Sequence, residues 1–148
     1  MIDVKDLMCG NLIYISAPED RENTRELCYI NEVYRDCIRV VDCEDLYEDI
    51  YLEPIPVTVD MLKRIGFEEH EDLPLEGKFY RYWDKEYRYK LDVDEGYTNS
   101  GRKWSVHIDN DVCNTIGSGE FTYIHELQNL VRINCSADLP ITEEMLYE

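Results

Sequence analysis

The chain has 148 residues, 44% of them hydrophobic, and sets 15 Lys and Arg against 33 Asp and Glu for a net charge of −18. That length and apolar share suffice for one domain, or one domain in two lobes, and exclude wholesale disorder. A surface so acidic repels phosphate backbones and anionic lipid, which excludes duplex nucleic acid and membrane surfaces as expected partners.

No apolar run approaches the ~20 residues that span a bilayer. The opening MIDVKDLMCG has no basic head, long apolar run or cleavage site, so a cytoplasmic location is expected. The cysteines are Cys9, Cys28, Cys37, Cys43, Cys113 and Cys135. None are paired as C-x-x-C, so the expectation is reduced, mostly buried small hydrophobes rather than a zinc ribbon or a redox motif.

Residues 1–56 read as short strands. LMCGNLIYI turns at Gly10-Asn11 and runs into an apolar strand; in ELCYINEVY, Leu27, Tyr29, Asn31 and Val33 alternate with Cys28, Ile30, Glu32 and Tyr34. DCIRVVD and YEDIYLEPIP follow, with Ile50 and Leu52 expected on one side of a strand. Closely spaced short strands predict a small barrel or a curled antiparallel sheet, and the pattern resembles small Src-homology or KOW-type barrels, which host many functions. Asp42, Glu44, Asp45, Glu48, Asp49 and Glu53 lie between residues 42 and 53 with no base among them. They lack the D-x-D-x-D-G order of a calcium loop, so a solvated acidic loop is expected.

PIPVTVDMLKRIGF is a well-punctuated helix. Thr58 is its natural N-cap, Asp60 suits the first turn, and Lys63 and Arg64 suit the last. Gly66 is placed to take the left-handed position after it, with Phe67 folding back, and Met61, Leu62 and Ile65 form its buried stripe. The tail LPITEEMLYE repeats the same start signal at Pro140, Thr142 and Glu144.

Residues 78–116 are strand-like again, with turns near Asp84-Lys85 and at Asn99-Ser100-Gly101. After GSGEF comes a helix over about 122–134, whose Ile124, Leu127, Leu130 and Val131 make one stripe. The predicted architecture is α+β. A small β-barrel or curled sheet in a lobe at 1–56 is followed by a short linking helix, then an antiparallel sheet packed by one helix in a lobe at 57–148. The two lobes are also readable as one continuous domain.

Catalytic templates are not met. YIHELQNL approaches the H-E-x-x-H zinc motif through His125 and Glu126, but Asn129 stands where the second imidazole belongs. GSG lacks the Lys of a phosphate loop, no G-x-S-x-G elbow occurs, and neither a Cys/His pair nor a carboxylate pair has local support. No catalytic residue, metal or cofactor is therefore assigned, and an enzyme of unknown class stays open as an alternative.

The stretch KFYRYWDKEYRYK, residues 78–90, stands out. Lys78, Arg81, Lys85, Arg88 and Lys90 oppose Asp84 and Glu86, five against two for a local +3, interleaved with Tyr80, Tyr82, Trp83, Tyr87 and Tyr89. Aromatic faces stack bases and cationic groups bind phosphate, so Arg81, Trp83, Lys85, Tyr87 and Arg88 are the candidate ligand-binding residues. The competing reading makes Tyr80/Tyr82 and Tyr87/Tyr89 the buried face of a hairpin, with the bases on its solvated face.

Three landmarks in order, DLMCGNLIYI, YLEPIPVTVDMLKRIGF and YIHELQNLVRI, resemble a group of small proteins without an assigned activity. The group is frequent in Bacteroidetes genomes and their phages and prophages. Its pattern is an L-R-I-G-N-x-V opening, an E-P-I-P-L-T helix start ending in G-F, and a V-H-Q-L-Q-N-L-Y-F helix. This chain departs from it at Met8-Cys9, Glu126 and Val131-Arg132. The resemblance implies an accessory protein of phage or prophage type and assigns no residue a role. The expected function is non-catalytic binding, as a host-defence antagonist that sequesters a nucleotide-derived ligand. The alternative is an acidic nucleic-acid mimic that uses the carboxylates at 42–53 and 68–76 against a basic host protein. A homo-oligomer is compatible with either.

Overall fold

The computed structural model describes residues 2–16, 25–72, 77–95, 102–112 and 114–146. The expected turn at 99–101, part of the acidic 68–76 segment and Cys113 lie outside the described residues. The fold is α+β, with two antiparallel five-stranded sheets and three α-helices. Its chain divides into two compact units, Met1–Pro56 with Tyr123–Asn129, and Val57–Thr122 with Leu130–Glu148.

The first unit holds β1 (Leu12–Ser16), β2 (Arg25–Val33), β3 (Cys37–Val40), β4 (Leu46–Glu48) and β5 (Leu52–Glu53), in the order β4-β3-β2-β1-β5. No described ladder joins β4 to β5, so of the two expected forms the curled sheet is the one built. β2 pairs with β1 through Arg25–Tyr29 and with β3 through Ile30–Val33, with a register shift between Ile30 and Glu32. A bulge of this kind bends the strand and reverses its parity, which explains why Ile30 and Val33, three residues apart, both pack into one core. The core gathers Ile2, Val4, Leu7, Ile13, Ile15, Ile30, Ile38, Val40 and Leu52. Ile50 does not join Leu52 as expected: it lies in a 3-10 turn, Asp49–Tyr51, and is 61% exposed. The cysteine expectation also changes, since none of the five described cysteines is fully buried: Cys9 is exposed and Cys28, Cys37, Cys43 and Cys135 are half-buried.

The second unit opens with α1 (Val59–Ile65). The Thr58 hydroxyl accepts from the Met61 N–H at 3.2 Å, and Gly66 takes φ 121°. The Phe67 and Gly66 N–H groups donate to the Leu62 and Lys63 carbonyls at 2.9 and 3.2 Å, closing the helix end as its sequence predicts.

β6 (Glu68–Asp72), β7 (Gly77–Asp84), β8 (Tyr89–Glu95), β9 (Trp104–Asn110) and β10 (Thr115–Phe121) then form a meander in the order β10-β9-β8-β7-β6. α2 (Ile124–Cys135) and α3 (Glu143–Leu146) complete the chain.

Strand alternation sorts the sheet into two faces. Tyr80, Tyr89, Leu91, Val93, Trp104, Val106, Ile108 and Phe121 are buried on one of them. An aromatic series runs through that core: Phe67 to Tyr82 at 5.3 Å, Tyr82 to Tyr89 at 6.1 Å, Tyr80 to Trp104 at 6.3 Å and Trp104 to Phe121 at 6.5 Å. The Trp104 indole N–H donates to the Val57 carbonyl at 3.3 Å, which satisfies its one polar atom in the interior.

GSG is part of strand β10 rather than a loop before the helix. A Cβ at Gly119 would stand 2.5 Å from the Leu130 side chain, and one at Gly117 would stand 2.2 Å from Asn134 Oδ1. These glycines let the second half of α2 lie directly on the strand, a packing use of glycine.

Candidate functional site

The near-miss zinc motif has a structural use inside the first unit. Gln128 Oε1 accepts from the Leu12 N–H at 2.9 Å, and its Nε2 donates to the Gly10 carbonyl at 3.2 Å. Asn129 Nδ2 donates to the Asp6 carbonyl at 2.8 Å, while its Oδ1 accepts from Asn11 Nδ2 at 2.8 Å. Asn11, 1% exposed, uses its own oxygen to accept from the Met8 N–H. The amide at position 129 both donates and accepts, a combination a metal-bound imidazole does not offer. His125 is buried and stacked on Tyr123. Among the described residues no group of three or more His, Cys, Asp and Glu is arranged to hold a metal ion.

In the second unit, ionisable side chains gather on the face of the sheet opposite its core. With Tyr80, Tyr82 and Asp84 turned to the core side of β7, Phe79, Arg81 and Trp83 stand on the other side. Register then decides their neighbours: Arg81 faces Asp92 on β8 and Glu68 on β6, and Lys90 faces Asp109 on β9. Arg81 donates to Asp92 through Nε at 2.8 Å and an Nη at 3.3 Å, a two-bond pairing that fixes the guanidinium plane. Lys90 lies 3.6 Å from Asp92 and 3.2 Å from Asp109, and His107 Nε2 lies 3.1 Å from Asp109 and 3.0 Å from the Thr115 hydroxyl. Burial pushes the Asp109 carboxyl upward, but Lys90, His107 and Thr115 outweigh it and hold the group below its ordinary value. The Ser105 hydroxyl donates to Asp94, and His70 stacks on Phe79 at 5.2 Å.

Two of the cavities lined by described residues lie on this sheet. The larger, about 620 Å³, is lined by Phe79, Asp92, Asp94, Ser105, His107 and Glu120 among others. The other, about 540 Å³, is lined by Gly66, Glu68, Arg81, Trp83 and Lys85.

The sequence candidates divide here. Arg81, Trp83 and Lys85 come together at the second cavity. Trp83 is 47% exposed, whereas Trp104 is wholly buried. Tyr87 and Arg88 do not line that cavity; they belong to the turn between β7 and β8. Asp84 Oδ1 accepts from the Glu86 and Tyr87 N–H groups at 3.1 and 3.0 Å and shapes that turn. Arg88 sits at φ 58° with its guanidinium 3.8 Å from Asp111, and the Tyr87 ring is 55% exposed. Of the tyrosines that the competing reading buries, Tyr80, Tyr82 and Tyr89 face the core and Tyr87 does not, while Arg81 and Trp83 stand on the opposite face.

Sequence reasoning read Gly66 as a helix end and Glu68 as part of an acidic segment, and placed neither at this cavity. The signal for Glu68 is its pairing with Arg81, which depends on a ladder that local composition does not specify. Among the described residues no helix is long and apolar enough to cross a membrane. No protein-family model, curated protein or solved structure matches the chain.

Proposed function

We propose that the protein is a non-catalytic accessory binding protein that sequesters a nucleotide-derived ligand in the Trp83 cavity. The observation that carries this reading is Trp83, a large aromatic side chain left half in solvent beside Arg81 and Lys85. An indole face stacks any base, and the two cations supply the partners a phosphate needs. About 540 Å³ lies within the ordinary range of small-ligand sites. The host-defence and phage setting rests on the resemblance of the three landmarks alone.

A thermal-shift screen over linear and cyclic nucleotides tests the reading. A sequestering protein gains melting temperature with at least one of them and loses the gain in Trp83→Ala. A ligand recovered unchanged after incubation separates binding from turnover. No shift across the panel removes the proposal.

The acidic-mimic reading has its own supporting observation. Asp42, Glu44, Asp45 and Glu48 are exposed in the first unit, in a stretch that also exposes Val41, Leu46 and Ile50. That version requires a basic partner whose complex weakens steeply with salt. A salt-independent complex contradicts it.

A further inference from the structure

We propose that the base taken by the Trp83 cavity is guanine, or a base with the same pair of adjacent N–H donors, read by Glu68; this rests on the nucleotide reading above. Glu68 opens β6 directly opposite Arg81, so the two side chains leave the sheet on the same face, and Trp83 follows Arg81 at the next position of that face. Arg81, Lys85 and the Trp83 indole carry hydrogen-bond donors and no acceptor. Glu68 is the sole carboxylate among the five described lining residues, and Gly66, two residues before it, brings no side chain to the rim.

A nucleotide splits its chemistry in the same way. Its phosphate accepts, and belongs with Arg81 and Lys85. A base stacked on Trp83 then presents its edge to Glu68. Guanine offers N1–H and N2–H side by side, which match the two oxygens of a carboxylate. Adenine and cytosine place an acceptor nitrogen beside their amino group, and uracil flanks one N–H with two carbonyls. Each of those sets a lone pair against the carboxylate, and a polar site rejects the ligand that leaves its group unmatched.

Isothermal titration of the full chain with GMP, AMP, CMP and UMP tests the assignment. GMP is expected to bind about 10- to 100-fold more tightly than the others, the worth of a charge-assisted donor pair. Glu68→Gln, an exposed position whose substitution leaves the fold intact by circular dichroism, should bring GMP within a few-fold of AMP while AMP is little changed. Equal binding of GMP and AMP that Trp83→Ala abolishes overturns the guanine assignment and leaves the nucleotide reading standing. A GMP preference that survives Glu68→Gln overturns the role of Glu68. No binding by any of the four overturns both.

Discussion

Arg81 and Asp92 face each other across the β7–β8 ladder, and each lines a different cavity. Their side chains are 31% and 23% exposed, so water screens the pair only in part. Two bonds in a half-sheltered setting place its contribution at about 1 kcal/mol, above that of most surface pairs. Asp92→Ala should lower unfolding stability in urea by that order. Arg81→Lys keeps the charge but loses the two-bond geometry, and should cost nearly as much. A lysine variant as stable as the parent would show that the fork contributes nothing.

Asn129 tests the fate of the zinc-like motif. Asn129→Ala leaves Asn11 Nδ2, on a residue 1% exposed, without its partner, and also frees the Asp6 carbonyl. A buried donor left unmet costs about 1–3 kcal/mol. Asn129→His restores the H-E-x-x-H spelling yet cannot reproduce both amide bonds. It should lose comparable stability and retain no stoichiometric zinc after dialysis. Tight zinc binding by that variant would refute the packing role.

Gly119 and Leu130 should behave as a coupled pair. A methyl group at 119 would stand 2.5 Å from Leu130 Cδ2, and overpacking of this kind costs about 1–3 kcal/mol. Gly119→Ala made on a Leu130→Ala background should cost distinctly less than it does alone. Additive costs in the double-mutant cycle would mean that the strand and helix do not meet there.

Alkaline stability should carry a tyrosine signature. Burial, then the charge and hydrogen bond of Asp84, push the Tyr82 hydroxyl up to about 12. The unfolded group ionises near ~10, so its contribution is complete below that pH. It then falls as pH rises toward 12, because the unfolded chain releases its proton first. Tyr80 and Tyr89 shift in the same direction through burial. Tyr82→Phe should therefore flatten, but not abolish, the loss of stability measured by urea unfolding between pH 9 and about 12.

The legible parts of this chain were those governed by neighbours in sequence. Thr58 and Gly66 set the limits of α1 through a cap and a left-handed turn, and both act within a few residues. The alternation that sets Tyr80 and Tyr82 on one face of β7 and Arg81 on the other is local in the same way. Features set by distant partners were not legible. The register shift at Ile30/Glu32 depends on β3, and Ile50 left its expected strand because the chain makes a 3-10 turn there. The glycines of GSG become intelligible once Leu130 and Asn134 are seen against them. Within the candidate site, Trp83 with its flanking cations was visible as composition, whereas Glu68 reached it through register alone.

The central claim, that Trp83 stacks a nucleotide, is read most directly by its fluorescence. Trp104 is wholly buried, so a stacked base has only the Trp83 indole within reach. Titration with nucleoside monophosphates should give saturable quenching that Trp83→Phe removes and that Lys85→Ala weakens about tenfold, the scale of one charge-assisted bond. Quenching that never saturates, or that persists unchanged in Trp83→Phe, would contradict the assignment of this cavity to a nucleotide.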